Sequence, residues 1–390
     1  MRGQPAGQAG VFAGQTARLQ AGRGGPGASR DGFPQAHEVF AGNRTDSTTL
    51  DEMLTALEAR TGRKGGRTVV VDRGMAFDEN LKQIKDHGHH YLVADRQGER
   101  NDHLDDYEDP TGWAEVIRPV SPTNPAQHKS KVFIKRKQVG DELLILCRSE
   151  GREQKDRAIR EKQEGRFLAD VWKLAARVNR MAERTGKAGG PAGKGAADEA
   201  KAKIIESVGR LKERYPRVAR YYNMTYSATT GVFDFSENLE KKATAEMLDG
   251  GYLLKTDRTD FSDEEAWKTY ILLTRVESAF RTLKSPLSER PIFHHLMHRV
   301  QAHIFLCVLA YHLVISIEKM HLDAGIHTSW PTLRDRLRTH QTVTVVLPAS
   351  NGAVLNIRRG TKPEPEHLKI YDTLRIPSEV MKPVKTWADL

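Results

Sequence analysis

Residues 68–95 read TVVVDRGMAFDENLKQIKDHGHHYLVAD, and this stretch decides the fold class. A β-branched run stops at Asp72 and Gly74, a short amphipathic segment around residues 79–88 follows, and a second apolar run closes the stretch. Strand, helix and strand at this spacing are typical of a βαβ unit. The sequence therefore predicts a mixed or parallel sheet with helices packed against it.

Asp72 stands at the carboxyl end of the first of these strands. Ligands of open α/β sheets collect at that edge, and Gly74 would allow the backbone to turn sharply there. A carboxylate beside an apolar strand needs a partner, water or a metal, because burying a lone charge is costly. Two interpretations stay open at this point: Asp72 binds a ligand, or it is a turn acid that caps the next helix or pairs with Arg73.

A second informative stretch, YILLTRVESAFRTLK, covers residues 270–284. At 100° per residue, an arc of about 120° holds only apolar side chains, namely Leu272, Leu273, Val276, Ala279, Phe280 and Leu283. A narrow stripe beside that arc holds Tyr270, Glu277, Arg281 and Lys284, and Arg275 lies on the far side. Glu277 is thus predicted at the border of the buried face. The alternative is an ordinary amphipathic helix with a Glu277–Arg281 ion pair.

The charge balance of the chain favours a polyanionic partner. The 390 residues carry 61 Lys and Arg against 51 Asp and Glu, which gives a formal charge of +10 and a pI near 9.4. Basic proteins are drawn to nucleic acid because neutralised phosphates release counterions. A soluble basic protein without such a partner is the alternative.

Cysteine usage and hydropathy bear on the compartment. Cys147 and Cys307 are too few for a disulfide framework and lack the spacing of a zinc site, which predicts a reduced, intracellular protein. The longest apolar run, residues 304–317, is shorter than the roughly 20 residues of a membrane span. It predicts a buried core helix, and the chain is expected in the cytoplasm without a membrane partner.

Composition shifts suggest a discontinuous domain. Residues 1–30 hold eight glycines and no acid, which predicts disorder. Residues 131–147 read as a β-hairpin, and two helical segments further on flank the linker TGKAGGPAGKG. The predicted parts are a disordered Gly/Arg-rich segment at 1–30, the first part of an α/β domain at 31–95, an insertion at 96–247, the second part at 248–330, and a C-terminal hairpin and tail at 331–390.

Four motifs carry a resemblance to a known family. They are DGFPQAHEVFAGNRTDSTTLDEML at 31–54, VVVDRGMA at 69–76, DGGYLLKTD at 249–257, and the helix at 270–284. Through these motifs, residues 31–95 and 248–320 resemble the DDE transposases of bacterial insertion sequences, specifically the group with a β-strand insertion between the second and third catalytic acids. The helix signature of that family is Tyr, two residues, Arg, three residues, Glu, six residues, Lys. This chain has Tyr270, Glu277 and Lys284, but Leu273 at the arginine position, for which Arg275 is the expected substitute.

The resemblance implies an RNase H-like α/β fold, in which a mixed sheet flanked by helices is interrupted by a β-rich plus helical insertion. It implies Mg-dependent DNA cleavage and strand transfer at terminal inverted repeats, with two Mg²⁺ ions, replaceable by Mn²⁺, held by three acids. The expected partners are double-stranded DNA, as transposon ends and target, and a second copy of the chain in a homodimer on DNA. The expected location is the nucleoid of a bacterial cytoplasm.

The same resemblance assigns roles to individual residues. Asp72 and Glu277 are expected to be catalytic metal ligands. The residues expected to position DNA near the cut are Arg73, Tyr270, Arg275, Arg281 and Lys284. Asp249 is expected to be a turn residue.

One catalytic acid has no counterpart in the sequence. The family places its first acid on a strand upstream of residue 31, and residues 1–30 contain none; Asp31 and Asp46 both follow the catalytic position. The resemblance therefore implies an N-terminally truncated transposase that is possibly inactive. One alternative is a non-enzymatic DNA-binding remnant that uses the basic strand KSKVFIKRK at 129–137, although lysines also guard solvated hairpin edges. Another is a nuclease of similar fold that cuts DNA without joining it.

Overall fold

A computed structural model gives the fold of the chain. It describes residues 10–12, 33–34, 37–41, 44–96, 98–118, 120–187, 194–227, 230–285, 287, 292–379 and 381–389. The segment 1–30, predicted to be disordered, lies outside the described residues apart from a three-residue strand. The chain divides into two compact units, of which the first holds residues 1–93, 117–129 and 268–390, and the second holds residues 94–116 and 130–267. The predicted bounds of the insertion, 96–247, stay a prediction.

Helices and strands alternate along most of the described chain. The helices are α1 Leu50–Thr61, α2 Asp78–Asp86, α3 Leu104–Glu108, α4 Glu150–Lys187, α5 Lys194–Arg214, α6 Leu239–Met247, α7 Asp263–Lys284, α8 Met297–Asp323, α9 Trp330–Leu337 and α10 Pro365–Leu374. The strands are β1 Gly10–Phe12, β2 Val39–Ala41, β3 Thr68–Val71, β4 His90–Ala94, β5 Ala114–Glu115, β6 Val132–Val139, β7 Glu142–Ser149, β8 Tyr222–Ser227, β9 Val232–Glu237, β10 Gly251–Thr256, β11 Thr342–Pro348, β12 Ala353–Gly360 and β13 Val384–Asp389.

The β3–α2–β4 segment forms the predicted βαβ unit. β3 and β4 pair in parallel, with Thr68 opposite His90 and Val71 opposite Val93. Every residue of β3 is buried, as expected for a parallel strand covered on both faces. Leu54, Ile84 and Tyr91 are completely buried in the surrounding core. This packing fixes the end of β3, the point from which Asp72 projects.

The start of α1 differs from what its sequence suggests. Thr49 and Glu52 have the spacing of a capping box, in which each side chain binds the backbone of the other. Thr49 does occupy the N-cap position, but its side chain makes no capping hydrogen bond. Glu52 instead pairs with Arg44 at 2.6 Å. In place of the capping box, Glu52 forms an ion pair with the segment that precedes the helix.

The second unit is built on antiparallel strands. β6 and β7 form the predicted hairpin, and β10 pairs antiparallel with the other side of β7, where Leu253 lies opposite Leu146. The buried Tyr107 packs on these strands, and its hydroxyl donates to the Tyr252 carbonyl oxygen at 2.9 Å. Parallel and antiparallel pairings, each with helices alongside, make the chain a mixed α/β protein, as predicted.

Two long helices and a small hairpin form a further core in the second unit. α4 and α5 pack on the antiparallel β8–β9 hairpin through a buried cluster. Phe167, Ile204 and Phe233 contribute one side chain each from α4, α5 and β9. The predicted insertion is therefore both β-rich and helical, because the apolar faces of its helices need a sheet to cover them.

α8 is buried on one face only, so the prediction of a fully buried core helix is wrong. Val300, Ile304 and Tyr311 pack against Ala279 and Leu283 of α7. The opposite face exposes apolar side chains, namely Phe305 at 55%, Leu306 at 61%, Leu309 at 47% and Leu313 at 59%. By length and composition α8 is the one described helix that could cross a membrane, and a third of its most apolar window is buried.

The C-terminal hairpin is confirmed and gains a third strand. β11 and β12 pair antiparallel around the turn that follows Pro348, and β13 adds to the other edge of β12. The residues of β13, VKTWAD, carry too weak an alternation to have been recognised from sequence.

Candidate active site

Asp72 lies where β3 ends and the chain turns. Its backbone is still extended, and the next three residues, Arg73–Met75, form a 3₁₀ turn in which the Met75 amide donates to the Asp72 carbonyl oxygen at 3.0 Å. The Asp72 side chain is half-buried and makes no capping hydrogen bond to that turn. Arg73 is exposed and forms no ion pair with a described residue. Neither structural interpretation of Asp72, a helix cap or an Arg73 partner, is realised.

The absence of a side chain on Gly74 leaves space beside the Asp72 carboxylate. It is not among the glycines with positive φ, so the backbone turns here without the left-handed conformation. A Cβ at this position would stand 3.3 Å from Oδ1 of Asp72, closer than ordinary van der Waals contact. The glycine therefore leaves room beside the carboxylate that any larger residue would fill.

α7 presents the two faces that its sequence predicts. Its apolar arc is buried at Leu273, Val276, Ala279 and Leu283 and half-buried at Leu272 and Phe280. Tyr270 is half-buried at the border, and the remaining stripe residues, Glu277, Arg281 and Lys284, are exposed. The Arg275 side chain lies outside the described part of the structure.

Glu277 does not form the ordinary helix pair with Arg281. Its carboxylate makes no hydrogen bond or ion pair with any residue that the structure describes, and the same holds for the charged ends of Arg281 and Lys284. The stripe thus offers an acid and two cations to solvent on a helix whose other face is anchored in a core. Such a rigid support suits groups that must bind an external ligand.

A comparison with protein families shows the family of the chain. The family model described as Transposase DDE domain matches residues 29–313, more than half of the 390-residue chain. The chain belongs to the DDE transposase family. A comparison with curated proteins finds no match. Membership supports the RNase H-like α/β fold for this transposase. Members of the family act on DNA by nuclease and transesterase chemistry and generally use divalent metal ions.

The acids of the transposase suit such a metal in chemical type but not in number. Asp72 and Glu277 lie in the same compact unit, and their carboxylate oxygens are the ligands that Mg²⁺ prefers. Oδ1 of Asp72, the carboxylate oxygen that would meet a Cβ on Gly74, is buried. The described residues contain no group of three or more His, Cys, Asp or Glu that could hold a metal. Asp72 and Glu277 stay a prediction for two of the three expected acids, and no residue is predicted for the third.

Asp249 is occupied by a structural role in the transposase. It follows α6 in the turn before β10, and its Oδ1 accepts from the Arg160 guanidinium at 2.7 Å. Its Oδ2 lies 2.6 Å from the same guanidinium in an ion pair. This arrangement agrees with a turn residue.

Several cations of the basic strand KSKVFIKRK are paired with groups of their own unit. Lys135 pairs with Asp109 at 2.7 Å, and Lys137 pairs with Asp106 at 2.5 Å. The Lys135 ammonium, together with Thr111, holds the pKa of Asp109 at about 2. The Arg136 guanidinium donates to two backbone carbonyl oxygens, those of Phe261 at 2.9 Å and Thr259 at 3.0 Å. These contacts are those of a stabilised sheet edge and leave little charge for DNA.

An acid pair that the sequence did not reveal follows β4. Glu99 shares a hydrogen bond with Asp95, and this contact, together with burial and the Asp95 charge, raises the pKa of Glu99 to about 7. Lys255 and Arg96 oppose the rise but do not cancel it. The two carboxyls are four residues apart across a turn, a spacing without a recognisable motif.

This pair predicts that a Glu99→Gln variant is more stable than wild type at pH 8. A folded-state pKa above the unfolded value of about 4.3 contributes stability that is complete below pH 4 and is lost as the pH rises through 7. Glutamine keeps a donor toward Asp95 and removes the titration. Urea unfolding at pH 5, 6, 7 and 8 measures the effect, with the exposed Glu108→Gln as the control for lost charge. Parallel pH curves for wild type and Glu99→Gln would contradict it.

Proposed function

We propose that the transposase catalyses Mg-dependent cleavage and strand transfer of DNA at the terminal inverted repeats of an insertion sequence. The observation that supports this proposal most directly is the family match together with two carboxylates in one compact unit. Asp72 stands at the carboxyl edge of a parallel strand pair, and Glu277 is held toward solvent on an anchored helix.

Each residue of the site has a chemical role in this proposal. Asp72 and Glu277 are the carboxylates that would hold Mg²⁺, or Mn²⁺ in its place. A divalent ion, when bound, activates a water or sugar hydroxyl and stabilises the leaving oxygen. The residues that hold the DNA phosphates on both sides of the scissile bond are Arg73, Tyr270, Arg275, Arg281 and Lys284. Arginine and lysine suit this work because phosphate oxygens accept charge-assisted hydrogen bonds.

We further propose that the reaction is slow in this chain. Two carboxylates bind a pair of divalent ions more weakly than three carboxylates do. Because both ions are needed to position the attacking and leaving oxygens, weaker metal binding slows the reaction. As in related reactions at paired DNA ends, the acting species is a homodimer on DNA, at the nucleoid of a bacterial cytoplasm.

The test is a DNA cleavage and joining assay with the purified chain. Its substrates are duplexes from both flanks of the coding region and a supercoiled target plasmid. We expect end-specific nicks and joined products in Mg²⁺ or Mn²⁺, at a low rate, and none in EDTA. Cut DNA that is never joined would indicate a nuclease. Bound DNA without any strand break would indicate the non-enzymatic remnant and overturn the proposal.

A further inference from the structure

Two neighbouring cavities of the second unit have eight cations and three acids among the residues that line them. One has a volume of about 590 Å³ and the other about 550 Å³, and both include Gln163 and Arg217 in their walls. The cations in their walls, apart from Arg100 and Arg160, are Arg166, Lys173, Arg214, Arg217, Arg220 and Lys241. We call this lining the basic groove. None of its residues belongs to the candidate active site.

Each of the three acids in the same walls has a partner within the fold. Asp170 accepts from the Tyr215 hydroxyl at 2.8 Å and from Lys173 at 3.0 Å. Asp249 is held by Arg160, and Asp156 accepts from the Gly250 amide at 3.1 Å. The acids therefore shape the walls but leave the cationic excess of the groove in place.

Three cations of the basic groove keep their charge exposed. Arg166, Arg217 and Lys241 are exposed, and their side chains form no hydrogen bond or ion pair with any described residue. In this they differ from the basic strand, where Lys135 and Lys137 are paired with acids. Like charges placed close together repel each other and destabilise the fold. Because these three cations have no internal partner, their placement favours an external anion as the partner.

The basic groove is also long enough to contact several successive phosphates of a nucleic-acid backbone. Its wall on α4 runs from Asp156 to Lys173 through positions three, four and seven residues apart, so it follows one helix face. Seventeen residues at 1.5 Å each span about 26 Å. At 3.4 Å per base pair, that is the length of about seven or eight base pairs of duplex.

We infer that the basic groove binds the phosphodiester backbone of duplex DNA, independently of sequence. Its arginines can take phosphate oxygens bidentately, and Lys241 adds a point charge at one end. The choice of duplex DNA as the polyanion rests on the proposed function. The groove supplies affinity for DNA, whereas Asp72 and Glu277 supply the chemistry.

The experiment measures binding of a 25-base-pair duplex that lacks any transposon end, in EDTA, between 50 and 300 mM salt. The triple variant Arg166→Gln, Arg217→Gln, Lys241→Gln should bind more weakly and lower the slope of log K against log salt by about 3, one unit per phosphate contact. The matched control removes three cations from ion pairs on the outer faces of α4 and α5. It combines Arg157→Gln, Lys203→Gln and Arg210→Gln.

The control triple should retain the wild-type slope to within about one unit. Equal losses in the two triples would mean diffuse attraction without a groove and would overturn the inference, as would an unchanged slope in the groove triple. Gln163→Glu, which adds a negative charge to the shared wall and removes no contact, repeats the test if the triple fails to fold. Tighter, groove-dependent binding of single-stranded RNA would assign the groove to RNA and reject duplex DNA.

The design separates this inference from the proposed function. The binding measurement is made in EDTA on a duplex without a transposon end, so neither metal nor cleavage contributes to it. Groove-dependent binding without any cleavage would refute the proposed chemistry alone, and cleavage without groove-dependent binding would refute the groove alone.

Discussion

Asp72→Asn should weaken the binding of Mn²⁺ about 100-fold and reduce DNA joining to background. Asparagine keeps the size of the side chain and one oxygen but loses the negative charge that a hard cation requires. Mutation of a residue that only supports a metal ligand typically lowers metal affinity about 10–100-fold. Loss of the charge of a ligand itself should therefore lower the affinity by at least the upper value of that range. Titration calorimetry or the electron spin resonance of free Mn²⁺ measures binding directly, even where turnover is slow.

Glu277→Gln should show the same two losses, because the proposed ion pair needs both carboxylates. Its carboxylate has no hydrogen bond or ion pair in the described part of the chain, so removal of its charge should leave the unfolding midpoint unchanged. Asp86→Asn and Glu79→Gln are the matched controls, since both acids are exposed on α2 in the same compact unit. Metal affinity that falls equally in all four variants would exclude a specific site at Asp72 and Glu277.

The parts of this site that sequence could predict are those fixed by local patterns. The four-residue β-branched run of β3 and the period of α7 each determine which residues are buried, and so where Asp72 and Glu277 stand on their elements. A period-two or 3.6-residue pattern reports burial because the same residues must face the same core. The family motifs then supplied the link between two acids that are more than 200 residues apart.

The parts that sequence could not predict depend on contacts between distant segments. Arg166 and Arg217 line one groove although 51 positions separate them, and nothing in either segment marks a shared surface. The basic strand, by contrast, was conspicuous in sequence, yet acids from elsewhere in the chain neutralise it. On α8, composition predicted burial all round, but only one face found a partner. The charge and hydropathy of a segment indicate which ligands its surface could bind. Tertiary packing determines which of its side chains remain exposed and unpaired.

Gly250→Ala should be the most destabilising small substitution in the second unit. Gly250 has φ +70°, a conformation that costs a non-glycine residue about 1–3 kcal/mol. An added Cβ would also stand 2.6 Å from the Ser149 carbonyl oxygen and 2.9 Å from the Glu153 amide nitrogen. Both are backbone atoms, at the end of β7 and the start of α4, so neither can move aside as a side-chain tip would.

The loss should exceed the strain alone, because the clash also disturbs two hydrogen bonds. The Gly250 carbonyl oxygen accepts from Ser149 at 3.1 Å, and its amide donates to Asp156 at 3.1 Å. Gly209→Ala is the control, since Gly209 lies inside α5 with no heavy atom within 4 Å of the added Cβ, and should gain about 0.5–1 kcal/mol. Urea unfolding should therefore move the two midpoints in opposite directions. A Gly250→Ala midpoint equal to wild type would show that β7, α4 and the turn before β10 do not meet as closely as described.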